Sequence, residues 1–211
     1  MERRPDIHDY NRQFQSVIRR LNKENILSEN KKTIAEFDKV CALEGLSAAR
    51  RCRIIGCLIM TSKLLDMDFR EASKEDLKNT VLKIDSNEKW SVATKHTYKA
   101  IIKKFYKWLA LGDEYKWSQG YPETVSWMRC SIKSKDQPRV QASDILSERE
   151  VEKMLEAAEH PRDKAFISML YELGARIGEV GSLRIRDISR DKYSFIVYLS
   201  GKSGHLSLIH I

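Results

Sequence analysis

From Asp6 to Leu111 the apolar residues recur every three or four positions, and nowhere in that span do they alternate in the two-residue rhythm of a strand. A chain patterned this way must bury one stripe of each helix against another helix, so a helical N-terminal bundle is expected. Residues 6–24 set Ile7, Tyr10, Phe14, Val17, Ile18 and Leu21 on one side. Residues 30–44 do the same with Ile34, Phe37, Val40 and Cys41. Ser47 stands where an N-cap belongs for a third helix, with Ile54, Leu58, Ile59 and Leu65 inward. Ser73 and Asp76 have the spacing of a capping box for a helix over 74–84. Ser91 caps a long helix over 92–111 that ends at Gly112 and carries Ile101, Ile102, Phe105, Trp108 and Leu109.

The texture then changes. Residues 113–142 contain Gly120, Pro122 and Pro138 and show weak periodicity, and their polar end reads as a linker. The expected division is a helical domain over 1–132, a linker over 133–146 and a second domain over 147–211. Ser147 with Glu150 forms a capping box for a helix over 148–159, Pro161 opens another, Gly174 interrupts it, and a short helix follows near 176–183. RIRDI and YSFIVYLS read as two strands around the polar turn SRDK, with HLSLIHI as a third. The fold class is therefore mainly α, a four- to five-helix domain followed by a partial α+β domain with a small antiparallel sheet.

Charge separates the halves. The chain has 38 Lys+Arg against 30 Asp+Glu, but residues 1–140 hold 28 and 19 while residues 141–211 hold 10 and 11. A basic N-terminal part suits a polyanionic partner, of which nucleic acid is the commonest. No run of apolar residues approaches the length of a membrane span, and MERRPDIHDYNRQ lacks the apolar stretch of a secretory signal. Cys41, Cys52, Cys57 and Cys130 form no C-x-x-C pair and have no histidine at zinc-ligand spacing, which points to reduced thiols in a cytoplasmic protein without a metal.

The chemistry-bearing stretch is Leu173-Gly174-Ala175-Arg176-Ile177-Gly178-Glu179-Val180, followed by Leu183. A glycine ahead of a short helix lets the backbone carry an arginine toward a ligand, and Glu179, three residues on, can hold the guanidinium. A guanidinium so fixed offers paired donors to a phosphate. Spacing alone favours an ordinary surface Arg–Glu pair. Gly201-Lys202-Ser203 fails as a phosphate-binding loop, because Ile196 stands where that motif needs its first glycine.

The run around Arg176 resembles the first signature box of the tyrosine recombinase (phage integrase) family, and Leu183-Arg184-Ile185-Arg186-Asp187-Ile188 is similar to the strand that follows it there. Lys202, 26 residues after Arg176 in Ser-Gly-Lys-Ser-Gly, resembles the family's catalytic lysine turn. Thr94, Tyr98, Ile102, Phe105 and Trp108 resemble the last long helix of its SAM-like core-binding domain. The resemblance implies duplex DNA as partner and strand cutting by a tyrosine through a 3′-phosphotyrosine, with no cofactor, metal or ATP. It implies Arg176 as the first catalytic arginine, Glu179 as its supporting acid and Lys202 as general acid, and a tetramer on DNA for the intact parent.

Phosphate contacts are then expected from Lys95, Lys99 and Lys103, a basic row opposite Ile101, Phe105 and Trp108, and from Arg50, Arg51 and Arg53. Thr94 and His96 would add to the first group, and Lys133, Lys135 and Arg139 would follow the DNA backbone. The family's His-x-x-Arg pair and its tyrosine nucleophile are not met in this sequence: Tyr171, Tyr193 and Tyr198 read as packing or sheet residues. The chain is therefore expected to bind DNA without cutting it, as a C-terminally truncated integrase whose final LSLIHI resembles translated sequencing-adapter read-through. A natural short inhibitory form, a non-catalytic DNA-binding regulator and a helical protein-interaction module are the other readings. A steep salt dependence of DNA binding separates the last from the rest.

Overall fold

The computed structural model describes residues 8–116, 120–132, 141–192, 194–200 and 206–210. The chain divides into two compact units between Pro138 and Arg139, the N-terminal one beginning at Tyr10.

The N-terminal unit is built from α1 (Tyr10–Lys23), α2 (Ser28–Leu43), α3 (Ala48–Leu65), α4 (Lys74–Asp85) and α5 (Val92–Leu111). Local chemistry starts three of them. Ser47 Oγ accepts from the Arg50 amide, Ser91 Oγ accepts from the Thr94 amide at 3.2 Å, and Ser73 with Asp76 closes a reciprocal capping box. Gly112, at φ +58°, ends α5 in a backbone region that other residues enter at a cost.

The helices converge on an aromatic centre. Phe105 is fully buried, with ring centroids 5.3 Å from Phe37, 4.9 Å from Phe69 and 5.8 Å from Trp108. Edge-to-face geometry of this kind contributes beyond the area buried. Asn30, with no exposed surface, rivets α2 to the turn after α3: its amide donates to Ser62 Oγ (2.8 Å) and Met67 O (2.9 Å), and its Oδ1 accepts from the Phe69 amide (2.9 Å). A buried polar side chain is tolerable when its partners are this complete.

The stretch after α5, weakly patterned in sequence, belongs to this core. A 3-10 turn over Gly112–Lys116 leads to a one-turn helix α6 (Glu123–Ser126), and Tyr115, Val125 and Met128 are all buried.

The C-terminal unit contains α7 (Glu148–Ala157), α8 (Pro161–Leu173), α9 (Ile177–Gly181) and an antiparallel sheet, order β1-β2-β3, from β1 (Ile188–Arg190), β2 (Phe195–Ser200) and β3 (Leu206–His210). Ile188 lies opposite Val197, and Val197 opposite Ile209. Val197, Leu199 and Leu173 form its small buried cluster, with Leu183 and Met169 against it. Mainly helical architecture with a small antiparallel sheet is the class the sequence implied.

The first strand is displaced from its expected place. Ile185–Asp187 forms a 3-10 turn, not a strand, because the Asp187 carboxylate accepts from the Arg184 amide at 2.9 Å and Ile185 is left 93% exposed. Ser189 and Arg190 join the strand, and beyond them Asp191 Oδ1 accepts from the Ser194 amide at 2.7 Å.

Candidate functional site

Helix α8 ends at Gly174, whose φ of +55° turns the chain sharply. Two non-helical residues follow it, Ala175 and Arg176, and Arg176 is the N-cap residue of α9. An arginine has no acceptor with which to cap the helix, so Glu179 supplies one from inside. Its Oε2 accepts from the Arg176 amide at 3.0 Å, and its Oε1 accepts from Arg176 Nη1 at 2.9 Å. Glu179 is thereby held at two points, and both bonds, with the backbone one first, draw its carboxyl below the ordinary range. Ser182 Oγ donates to the carbonyl of Glu179, bracing the turn from below.

The asymmetry in exposure matters most. The Glu179 side chain is 16% exposed and the Arg176 side chain 80%. The acid is built into the fold while the guanidinium projects outward, its Nε and Nη2 making no hydrogen bond to another described residue. A planar cation with spare donors, anchored at one edge, is arranged to receive an oxyanion. Lys202 lies outside the described residues, as do Lys133, Lys135 and Arg139.

The lysines of α5 have a different setting. Lys99 pairs with Asp85 at 2.6 Å, Lys95 donates to the Asp85 carbonyl at 2.7 Å, and Lys103 donates to the Met128 carbonyl at 2.8 Å. His96 Nε2 lies 3.0 Å from the Cys130 carbonyl, and the Thr94 hydroxyl is bonded to Ser91 Oγ in the helix cap. The sequence-predicted row is thus one face, but a face that already serves α4 and the 121–130 segment. The helical period locates such a face and says nothing of what lies over it. Tyr121, Val125 and Met128, at near-helical intervals, were the signal that a segment returns there.

The arginines of α3 divide. Arg51 forms a two-point ion pair with Asp38, Nε to Oδ1 at 2.8 Å and Nη2 to Oδ2 at 2.6 Å, and its guanidinium stacks 4.3 Å over the Phe14 ring. It ties α1, α2 and α3 together. Arg50 and Arg53 are exposed, on one side of α3, and neither guanidinium bonds to another described residue. Lys95, Lys99 and Lys103 each spend one of three ammonium donors on a partner within the unit, whereas the guanidinium groups of Arg50 and Arg53 spend none on another described residue.

Among the described residues no cluster of His, Cys, Asp and Glu has the makings of a metal site, and no helix is long and apolar enough to cross a membrane. The four cysteines are free thiols. Burial pushes Cys41 and Cys57 up to about 11.

Residues 144–210 match the model of the phage integrase family. The tyrosine recombinase XerA of Pyrococcus horikoshii is 38% identical over 66 residues, which are 31% of this chain and 23% of that protein. The chain therefore corresponds to less than a quarter of that relative's length in the matched region. A crystal structure of XerA recombinase aligns with a TM-score of 0.36 and 19% identity, over 86% of this chain and 59% of that one.

Proposed function

We propose, from the match of residues 144–210 to the phage integrase family model and their similarity to a tyrosine recombinase, that this chain is a duplex-DNA-binding integrase segment carrying part of a strand-transfer site. The observation that carries the reading is the two-point hold of Glu179 on Arg176, which leaves a guanidinium projecting from a family-matched turn with donors to spare.

The chemistry follows from that geometry. Attack of a tyrosine oxygen on a DNA phosphodiester concentrates negative charge on the two non-bridging oxygens. Arg176 donates to one of them from a fixed position, so little reorganisation accompanies the reaction. Glu179 does not touch DNA; it holds the edge of the guanidinium away from the phosphate. Lys202 is the residue we assign to protonate the departing 5′-oxygen. No histidine in this sequence has an arginine three residues on, so the second arginine and the nucleophile are assigned to a segment other than these 211 residues. The chain by itself binds DNA without cleaving it, and a parent carrying that segment recombines sites as an oligomer in the cytoplasm.

For the N-terminal unit, Arg50 and Arg53 are the best-supported phosphate contacts, because both are exposed and uncommitted. The test is Arg176→Gln in the full chain. Duplex affinity should fall about tenfold, the loss typical of one charge-assisted contact, with the thermal midpoint unchanged. An unchanged affinity would remove Arg176 from the interface and the reading with it.

A further inference from the structure

The α5 face expected to meet DNA also holds the chain's own onward path, and we infer that His96 and Lys103 are positioning residues: they seat residues 121–130 as a strap on α5 and so set where the chain leaves the N-terminal unit. The functional half of this inference rests on the duplex-binding reading above; the strap itself does not.

The order of contacts defines the strap. The Tyr121 ring lies 4.3 Å from Lys103 Nζ and 5.0 Å from Lys107 Nζ. Lys103 Nζ also donates to the Met128 carbonyl at 2.8 Å, and His96 Nε2 meets the Cys130 carbonyl at 3.0 Å. As the strap advances from 121 to 130, its helix partners step back from 107 to 96. Eleven helical residues are about 16 Å, so the strap retraces half of α5 toward its N-terminus. Gly112, at φ +58°, and the 3-10 turn after it provide the reversal.

Two kinds of anchor hold it. Val125 and Met128 are buried in the core, 0% and 1% exposed, and Lys74 pairs with Glu123 at 3.0 Å. These would suffice to pack the segment as far as Met128. The bond from His96 lies beyond the last of them, at Cys130, and both it and the Lys103 bond are made to main-chain carbonyls. Donors aimed at carbonyls fix the course of the backbone, whatever side chains it carries. Ten residues of sequence separate Cys130 from Gln141, which belongs to the second unit. Two modules on one duplex bind together at an effective concentration that falls as roughly the −3/2 power of tether length. Val125 and Met128 stay packed without the two donors, so the residues released are Arg129 and Cys130; going from ten residues to twelve lowers that concentration by about a quarter.

The experiment uses the full chain, His96→Phe/Lys103→Met against wild type, with His96→Gln/Lys103→Arg as the donor-preserving control. Hydrogen exchange is read at residues 126–132 and in the cores of α3 and α5. Affinity is read on a duplex long enough for both units and on one too short for both. Expected are faster exchange at 129–132, with residues 126–128 and the helix cores unchanged, a grip on the long duplex alone weaker by about a quarter, and recovery of both in the control. Unchanged exchange would overturn the strap anchors. Faster exchange with equal loss, or no loss, on the two duplexes would overturn the positioning role. A wild-type chain that binds neither duplex would overturn the duplex-binding reading, and the positioning role with it, while the exchange result still decides the anchors. Should the double variant fail to fold, His96→Phe against His96→Gln makes the same comparison.

Discussion

Arg50 and Arg51 are neighbours in sequence, and the account assigns them opposite consequences. The Arg50 side chain is exposed, and its guanidinium is bonded to no other described residue. Arg51 is 21% exposed, and pairs at two points with Asp38, itself 10% exposed. Arg50→Gln should therefore leave stability within about 0.5 kcal/mol of wild type, as surface substitutions do. It should also lower the slope of log affinity against log salt by about 0.9, the value of one phosphate contact. Arg51→Gln strands the Asp38 carboxylate between α2 and α3. Breaking a fully buried pair costs about 3–5 kcal/mol; with a fifth of the guanidinium in solvent, about 2 kcal/mol is the expectation. Stacking on Phe14 is lost as well. Its salt slope should equal that of wild type, because its donors are spent within the fold. Urea melts and fluorescence anisotropy on a duplex at graded salt give both quantities for both variants. If Arg51→Gln changes the slope while Arg50→Gln does not, the division between structural and contacting arginines is wrong.

Three further outcomes follow from the geometry. Glu179, drawn below the ordinary carboxylate value of 4.5 by its bonds to Arg176, should still be ionised at pH 4.5. Its support for the turn is present above the unfolded value and is lost as pH falls through the lowered folded one; the carboxyl carbon shift, followed by NMR, checks the midpoint, and a midpoint at or above 4.5 would contradict the two-point hold. Cys41 and Cys57, with thiols raised to about 11, should react with a thiol reagent at pH 8 only on unfolding. Asn30→Ala removes three bonds, two of them buried, and leaves the Phe69 amide without its acceptor; a loss of about 2–3 kcal/mol in a urea melt is expected.

Local signals were readable where the cause is local. Ser47, Ser73 with Asp76, Ser91 and Ser147 all start helices at the positions their spacing implied, because a cap is decided within four residues. The Arg176–Glu179 pairing was readable for the same reason. What escaped is decided at a distance. The row Lys95, Lys99, Lys103 reads as a solvent-facing stripe until Asp85 and the 121–130 segment are folded against it. The displaced first strand is a smaller case: RIRDI has the composition of a strand, but Asp187 finds a nearer bond in the Arg184 amide and closes a turn. Arg51 looked like its neighbours because nothing in RRCR tells which arginine faces Asp38.

Binding of the full chain to a duplex of about 30 base pairs, followed by anisotropy across a series of salt concentrations, tests the central claim most directly. An integrase segment gripping phosphates should lose affinity linearly in log salt, with a slope of at least about −2.7 if Arg50, Arg53 and Arg176 each displace a counterion. No binding at low salt, or a slope near zero, would contradict it and leave a helical module whose positive charge serves some other end.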